Sequence, residues 1–379
     1  MQFLHIVGHD GIKQRLVQSA QQGRVSHAQL FCGADGYGTL ALALAYAQYL
    51  NCEQPSATDS CGLCPSCKKY QTLQHPDLHF SLPVAWSKSK PPVSNDFMKE
   101  WREFATNNNY PTLPQWYEAI GLENKAGIVN VAEAEAIIGQ LAYKAYEGKF
   151  KVQVLWHAEN MNTQAANKLL KLIEEPSEKT LLLLVVESTD GMLKTILSRT
   201  QQIAVPPIDR AVLAQHLAAQ QGLPLETATE YARMANGNYV EALNWVQQSD
   251  DNADFYQCFV QLMRLAYGNS SDNVLALLEW SNKMYNDFGR EQLRQFFVYA
   301  LRLTREVFAI HENAHDAVYL NTEQKEWGTK FSPFVNESNV AAIYREFDLA
   351  GRQISANGNA RIILITTALT LMKLIKQKV

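Results

Sequence analysis

The chain has 379 residues, 47% of them hydrophobic, so it can bury sizeable cores and is long enough for roughly two or three domains. Its 34 basic and 38 acidic residues leave a net charge of −4, which argues against a protein that coats nucleic acid along its whole length. The N-terminal stretch MQFLHIVGHDGIKQRL lacks a basic region followed by a long apolar one, and no apolar run approaches the ~18 residues of a membrane span. We therefore expect a soluble, cytoplasmic protein.

A glycine-rich segment follows the first predicted strand. Residues 7–23 show helical periodicity, residues 29–32 form a short apolar run typical of a strand, and a long helix is predicted over 41–50. The segment GADGYGTL lies between that strand and that helix, which is where a phosphate-binding loop belongs. Its glycines are Gly33, Gly36 and Gly38.

This loop lacks the side chains that bind phosphate and metal. The pattern G-x-x-x-x-G-K-[ST] requires a lysine after its second glycine, to reach the β- and γ-phosphates, and then a hydroxyl for Mg²⁺. Thr39 and Leu40 stand at those two positions. The sequence thus predicts a degenerate loop, although weak nucleotide binding by its backbone alone stays open.

Four of the six cysteines are clustered in the pattern C-x8-C-x2-C-x2-C. They are Cys52, Cys61, Cys64 and Cys67. Four thiolates suit a closed, tetrahedral Zn²⁺ site, whereas a thioredoxin-like redox pair would stand alone at a helix start. The spacing therefore predicts structural zinc and a reducing compartment.

An aromatic segment follows a strand predicted over 78–82. Residues 83–127 are broken by prolines, yet Phe97, Trp101 and Phe104 fall on one face of a short helix. We expect this face to pack back onto the preceding domain. A docking surface for a partner is the alternative.

Two apolar strands with a helix between them form the predicted centre of the chain. Residues 151–156 and 181–186 are rich in Val and Leu and have the length of strands buried on both faces, and residues 162–175 between them are helical. Strand, helix, strand at this spacing predicts a parallel α/β sheet. Arg199 lies just past the second strand, and a last strand is predicted over 202–205.

The remainder is predicted to be helical. Two prolines at 206–207 end the sheet domain, and three short helices follow over 208–248. The polar run 249–252 is expected to link them to a further all-helical part. Helices with broad apolar faces suit either a self-contained bundle or a ring of subunits.

The run from Lys151 to Arg199 resembles the nucleotide-hydrolysis core of AAA+ ATPases, and most closely that of bacterial DNA polymerase III clamp-loader subunits. The cysteine spacing, Leu-Ile-Glu-Glu-Pro at 172–176 and Ser-Arg-Thr at 198–200 carry this resemblance. It implies an AAA+ parallel-sheet domain over 1–206 with a zinc module at 52–67 and an insertion at about 83–127. A small helical lid domain over 207–248 and an all-α collar over 249–379, used for oligomerisation, are implied as well.

The resemblance also shows where the chain departs from active members of that family. Their acidic D-E-A-D box reads Trp156, His157, Ala158, Glu159 here. The first acid of the box holds the water shell of Mg²⁺ and the second polarises the attacking water, and neither Trp nor His does this well. We expect Trp156 to be a packing residue and His157 a polar cap. Glu241 stands where the resemblance places a lid arginine.

The resemblance therefore implies a subunit that does not hydrolyse ATP itself and is not expected to bind ATP productively. Such a subunit assembles with the ATPase subunits, gamma or tau, and with delta, and the complex loads the sliding clamp on primer-template DNA, with no membrane involved. In the family the arginine of the motif at 198–200 reaches the ATP of the neighbouring subunit, which implies this role for Arg199. The alternative is structural: Arg199 satisfies carbonyl groups at a helix end or pairs with a surface acid.

Three other functions remain as alternatives. An active gamma- or tau-type ATPase would share the fold and the zinc but needs the lysine, the acids and the lid arginine. A stand-alone zinc protein that binds nucleic acid needs a basic face. A thiol oxidoreductase needs an isolated, reactive pair of cysteines.

Overall fold

The computed structural model describes residues 1–84, 92–122, 127–247, 249–268, 271–314, 318, 320–356 and 358–376. Parts of the predicted insertion, at 85–91 and 123–126, lie outside the described residues, as does residue 248, the predicted end of the lid. The chain forms two compact units, Met1–Leu243 and Asn244–Val379.

A five-stranded sheet lies at the centre of the first unit. Its strands are β1 (Ala28–Cys32), β2 (Leu78–Ser81), β3 (Lys151–Trp156), β4 (Thr180–Val186) and β5 (Gln201–Ala204). They pair in the order β2-β3-β4-β1-β5, and every pair is parallel, which confirms the predicted sheet. β3 and β4 are buried along their whole length, and this is why they appear in the sequence as continuous apolar runs. Because parallel strands end at the same edge, the segments after β1, β3 and β4 converge there.

Eleven α-helices are described between Asp10 and Gln247. They are α1 (Asp10–Gln21), α2 (Thr39–Asn51), α3 (Pro65–Gln71), α4 (Met98–Asn107), α5 (Leu113–Ala119), α6 (Val131–Leu141), α7 (Thr163–Glu174), α8 (Lys194–Leu197), α9 (Arg210–Gln221), α10 (Leu225–Met234) and α11 (Tyr239–Gln247). The last three confirm the three short helices expected after the prolines. The side chain of Asn162 accepts a hydrogen bond from the Ala165 N–H and thereby caps α7.

The aromatic segment packs into the sheet unit, as expected. Trp101 on α4 and Trp116 on α5 are both fully buried. The ring of Trp101 lies 5.0 Å from that of Trp156 at the end of β3, and the Trp116 indole donates to the Pro83 carbonyl at 3.0 Å. Trp156 is therefore a packing residue, and its ring partner Trp101 comes from the predicted insertion.

The second unit is all helical in the described residues. Its helices are α12 (Ser249–Tyr267), α13 (Ser271–Asp287), α14 (Arg290–His311), α15 (Thr322–Phe331), α16 (Val340–Ser355) and α17 (Ala360–Leu374). The expectation of a polar linker at 249–252 is wrong, because α12 begins at Ser249 and includes this run. Ser and Asp are favoured in the first turn of a helix, so their polarity does not indicate a linker. Among the residues described, no helix is both long and apolar enough to span a membrane.

Candidate functional site

The predicted phosphate loop joins β1 to α2 at the carboxyl edge of the sheet. α2 begins directly after Gly38, whose φ of 88° is a left-handed conformation that favours glycine. The Thr39 side chain is buried, and its hydroxyl donates to the Gly33 carbonyl at 3.1 Å. Leu40, at the position of the metal-binding hydroxyl, lies in the hydrophobic core. The loop therefore has the glycine geometry of a phosphate site. The side chains of Thr39 and Leu40, however, contact other parts of the protein and are not available to a ligand.

The backbone N–H and the carboxylate of Asp35, in the middle of the loop, are held by groups from three other segments. Its backbone N–H donates to Glu187 Oε1 at 3.1 Å, and its Oδ2 accepts from the Leu113 N–H at 2.8 Å. Its Oδ1 lies 3.3 Å from His157 Nε2. The backbone N–H groups of such a loop normally bind phosphate oxygens. At Asp35 a carboxylate of the chain itself takes that position.

The segment between α4 and α5 covers the loop. Tyr110 on this segment is only 4% exposed, and its hydroxyl accepts a hydrogen bond from the Val7 N–H at 2.8 Å. Its ring lies so close to Gly38 that a Cβ added there would be 2.9 Å from it. Part of the predicted insertion thus fills the space beside the loop.

Two residues at the start of α11 also contact the loop. Asn238 Nδ2 donates to the Asp35 carbonyl at 2.8 Å, and the Tyr239 N–H donates to the Gly36 carbonyl at 3.0 Å. A Cβ on Gly36 would lie 2.0 Å from Asn238 Oδ1, so only glycine fits there. The remaining cavity, lined by the loop and Tyr110, measures about 10 Å³, which is room for about one water molecule.

His157 is a buried cation between two carboxylates. It is 2% exposed, its Nδ1 lies 3.1 Å from Glu159 Oε1, and its Nε2 faces Asp35. Burial lowers the pKa of an imidazole, but the two carboxylates in contact with its ring, those of Asp35 and Glu159, outweigh burial and raise the pKa of His157 to about 9. His157, Glu159 and Glu187 offer ligand atoms within 4.8 Å of one another. A protonated imidazole does not bind a metal, so this group is an ion-pair network at neutral pH.

The two remaining acids named from the sequence also lie around this loop. Glu159 Oε1 accepts from the Glu187 N–H at 3.1 Å in addition to its contact with His157. Glu241 is exposed in the first turn of α11, and its N–H donates to Asn238 Oδ1 at 3.1 Å. Neither residue adds positive charge where a triphosphate would require it.

The four cysteines lie together between the end of α2 and the first turn of α3. Their sulfur atoms are all within 4.8 Å of one another, and Cys61 Sγ is 3.9 Å from Cys67 Sγ. Tetrahedral zinc with Zn–S bonds of ~2.3 Å separates its sulfurs by ~3.8 Å, so the cluster has the size that zinc needs. Backbone N–H groups of Cys61, Cys64 and Cys67 each donate to the sulfur of the preceding cysteine. Such donors stabilise thiolates, and those from Cys64 and Leu63 lower the pKa of the Cys61 thiol to about 6.

Arg199 follows the short helix α8 on the surface. Its Nε donates to Glu174 Oε1 at 2.5 Å, and its Nη1 donates to the Thr195 carbonyl at 2.9 Å. The side chain is 37% exposed. These contacts are the ones expected of a structural arginine, and they leave the guanidinium accessible to solvent.

Known proteins resemble this chain over more than half of its length. The DNA polymerase III subunit delta′ of Bacillus subtilis is 28% identical over 243 residues, which cover 64% of this chain and 60% of that protein. The delta′ subunit of Pseudomonas aeruginosa is 30% identical over 232 residues, which cover 60% of this chain and 59% of that protein. A model of the family described as "DNA polymerase III, delta subunit" matches residues 8–209, more than half of the chain. The chain belongs to this family, as a subunit of the delta′ type.

ATPase subunits are similar to the chain as well. The tau/gamma subunit of Haemophilus influenzae is 25% identical over 282 residues, which cover 73% of this chain and 34% of that protein. In all three comparisons the matched region spans less than two thirds of the relative's own length.

Several residues that shape the loop of this delta′-type chain were not predicted from the sequence. Tyr110 lies in the predicted insertion, and no local pattern indicates its contact with Val7. Glu187 directly follows β4, so the rule that parallel strands end at one edge could have placed it. Asn238 precedes a helix as a capping residue, and nothing local indicates that its amide also reaches the loop.

Proposed function

We propose that this chain is the non-hydrolysing delta′ subunit of the DNA polymerase III clamp loader. In this proposal it assembles with the ATPase subunits, gamma or tau, and with delta. The complex loads the sliding clamp on primer-template DNA. Arg199 is the group that the chain gives to catalysis, because its guanidinium reaches the ATP held by the neighbouring subunit.

The observation that carries the proposal is that the chain's own side chains fill its phosphate loop. Glu187 takes the Asp35 N–H, Tyr110 covers Gly38, and Asn238 lies against Gly36. A triphosphate would have to displace all three contacts, and it would meet carboxylates without a lysine to offset their charge. These contacts support a subunit that holds its place in the ring without turning over ATP.

The proposal includes a role for each part of the chain. Residues 1–206 serve as an AAA+-like domain, 207–248 as its lid and 249–379 as a collar through which subunits assemble. The four cysteines hold one structural Zn²⁺, which links the end of α2 to α3. A cytoplasmic location follows from the proposed work on DNA.

The rival function is that of an active gamma- or tau-type ATPase, which the similarity to the tau/gamma subunit favours. In the proposed function the gamma or tau subunits hydrolyse ATP, whereas in the rival function this chain hydrolyses it. The purified chain alone should show no turnover above a blank, and the reconstituted complex should show clamp- and DNA-stimulated turnover. Turnover by the chain alone, abolished by a change at Gly38, would establish the rival.

The trans role of Arg199 is tested in the same complex. Arg199→Ala should leave ring assembly unchanged by size-exclusion chromatography and reduce stimulated ATP hydrolysis by ~10³-fold, because a guanidinium in this role neutralises charge on the phosphoryl oxygens. Equal ATPase and loading rates for the variant and unmodified complexes, at confirmed stoichiometry, would refute this role.

A further inference from the structure

The backbones of both Arg199 and Glu174 lie next to residues that are buried in the core of the first unit. Glu174 is the last residue of α7. Ile173, the residue before it, is buried in the core, and the Ile173 carbonyl contacts His27 Nε2 at 2.9 Å. Arg199 follows α8, which is anchored by the fully buried Ile196. Each of the two backbones that carry this ion pair is therefore anchored by a buried side chain in the core of the first unit.

Two of the three guanidinium nitrogens of Arg199 make hydrogen bonds within the chain, and the third is available to a ligand. Nε is taken by Glu174, and Nη1 is shared between the Thr195 carbonyl and Ser198 Oγ, at 2.9 and 3.3 Å. No hydrogen bond joins Nη2 to the part of the chain that the structure describes. A guanidinium has five N–H donors in one plane, so fixing Nε and Nη1 fixes the direction of the Nη2 donors.

We infer that Glu174 is a positioning residue for Arg199: its carboxylate holds Nε and orients the free Nη2 donors toward a phosphoryl group outside the chain. This inference rests on the proposed trans role of Arg199. A long, exposed arginine otherwise loses rotamer freedom when it engages a ligand, and a carboxylate that fixes its plane beforehand removes part of that cost. An exposed ion pair adds little to folding stability, so the effect of Glu174 belongs to the reaction rather than to the fold.

The test is a double-mutant cycle in the reconstituted clamp-loader complex with clamp and primed DNA. The variants are Glu174→Ala, Arg199→Ala and the two combined, with Glu175→Ala as the matched control, since Glu175 is the next residue, exposed and of equal charge. Glu174→Ala should lower the stimulated kcat about tenfold with an unchanged KM for ATP, and Glu174→Gln, which keeps an acceptor oxygen, should lower it less. The combined variant should equal Arg199→Ala alone, and Glu175→Ala should behave as the unmodified complex.

The outcomes separate this inference from the function on which it rests. If Arg199→Ala lowers the rate and Glu174→Ala does not, the positioning role is overturned and the trans role stands. The positioning role is also overturned if Glu174→Ala lowers the rate by the same factor with and without Arg199. If Arg199→Ala itself changes nothing, the proposed function fails and the positioning role fails with it.

Discussion

The rings of Tyr110 and Tyr239 are in contact, with centroids 4.4 Å apart and planes inclined by 35°, and the Tyr110 ring lies against Gly38 of the loop that would otherwise bind phosphate. One ring comes from the predicted insertion and the other from the third of the short helices after the sheet. The loop is thus closed by two segments that are far apart in the sequence.

Tyr110→Phe should destabilise the first unit. The Val7 N–H is buried and loses its only described acceptor in this variant, which costs about 1–3 kcal/mol of the free energy of unfolding. Urea denaturation of the full chain measures this change. Tyr146→Phe is the control, because that ring is 84% exposed and should leave the midpoint unchanged. Equal midpoints for both variants would show that the Val7 contact contributes nothing.

Restoring the missing phosphate-binding side chains should not restore ATP binding. Thr39→Lys with Leu40→Thr recreates the loop pattern, but Glu187, Tyr110 and Asn238 still occupy the space around it. Titration calorimetry of this variant with Mg-ATP should show no micromolar affinity, provided that its melting temperature confirms folding. Micromolar binding would mean that the lost lysine alone explains the degenerate loop.

The protein should contain one zinc ion per chain. Cys64→Ser should release the metal and lower the melting temperature, because the four cysteines join the end of α2 to the first turn of α3 and the metal would hold them together. Cys32→Ser is the control, since this half-buried thiol lies outside the cluster and its replacement should keep the zinc. Elemental analysis of protein purified without chelator measures the content, and an absence of zinc there would end the assignment.

Stability should fall between neutral and alkaline pH because of His157. Its pKa is raised from 6.5 to about 9, so its stabilisation is fully present below pH 6.5 and is lost as the pH rises through 9. The loss amounts to roughly 3 kcal/mol. Urea midpoints between pH 6 and 10 test this, with His157→Gln as the comparison. An equally steep decline in that variant would assign the effect to other groups.

The sequence predicted the elements whose signal is local. β3 has the predicted bounds because burial on both faces produces an unbroken apolar run. The cysteine cluster followed from spacing, since zinc needs four ligands within a few ångströms. The resemblance also singled out Arg199, but not Glu174 as its partner, because no local pattern joins two helix ends that lie far apart in the sequence.

What could not be predicted depends on contacts between distant segments. Tyr110, Asn238 and Glu187 each meet the loop through the tertiary fold, and each residue type is ordinary in its own stretch. The prediction of a linker at 249–252 was wrong for another reason. A polar run in the first turn of a helix, here the one that begins at Ser249, has the same composition as a linker. Propensity alone does not separate these two cases.

The hydrogen bond from Asn238 to Asp35 spans 203 positions of the chain, which has a consequence for synthesis on the ribosome. Translation proceeds from the N-terminus at about 5–20 residues per second, so the loop leaves the ribosome well before its cover does. Contacts of such long sequence separation also form slowly, because the intervening chain must first be ordered. The nascent protein therefore passes through a period in which its phosphate loop is open, and the loop closes only when the last part of the first unit has been made.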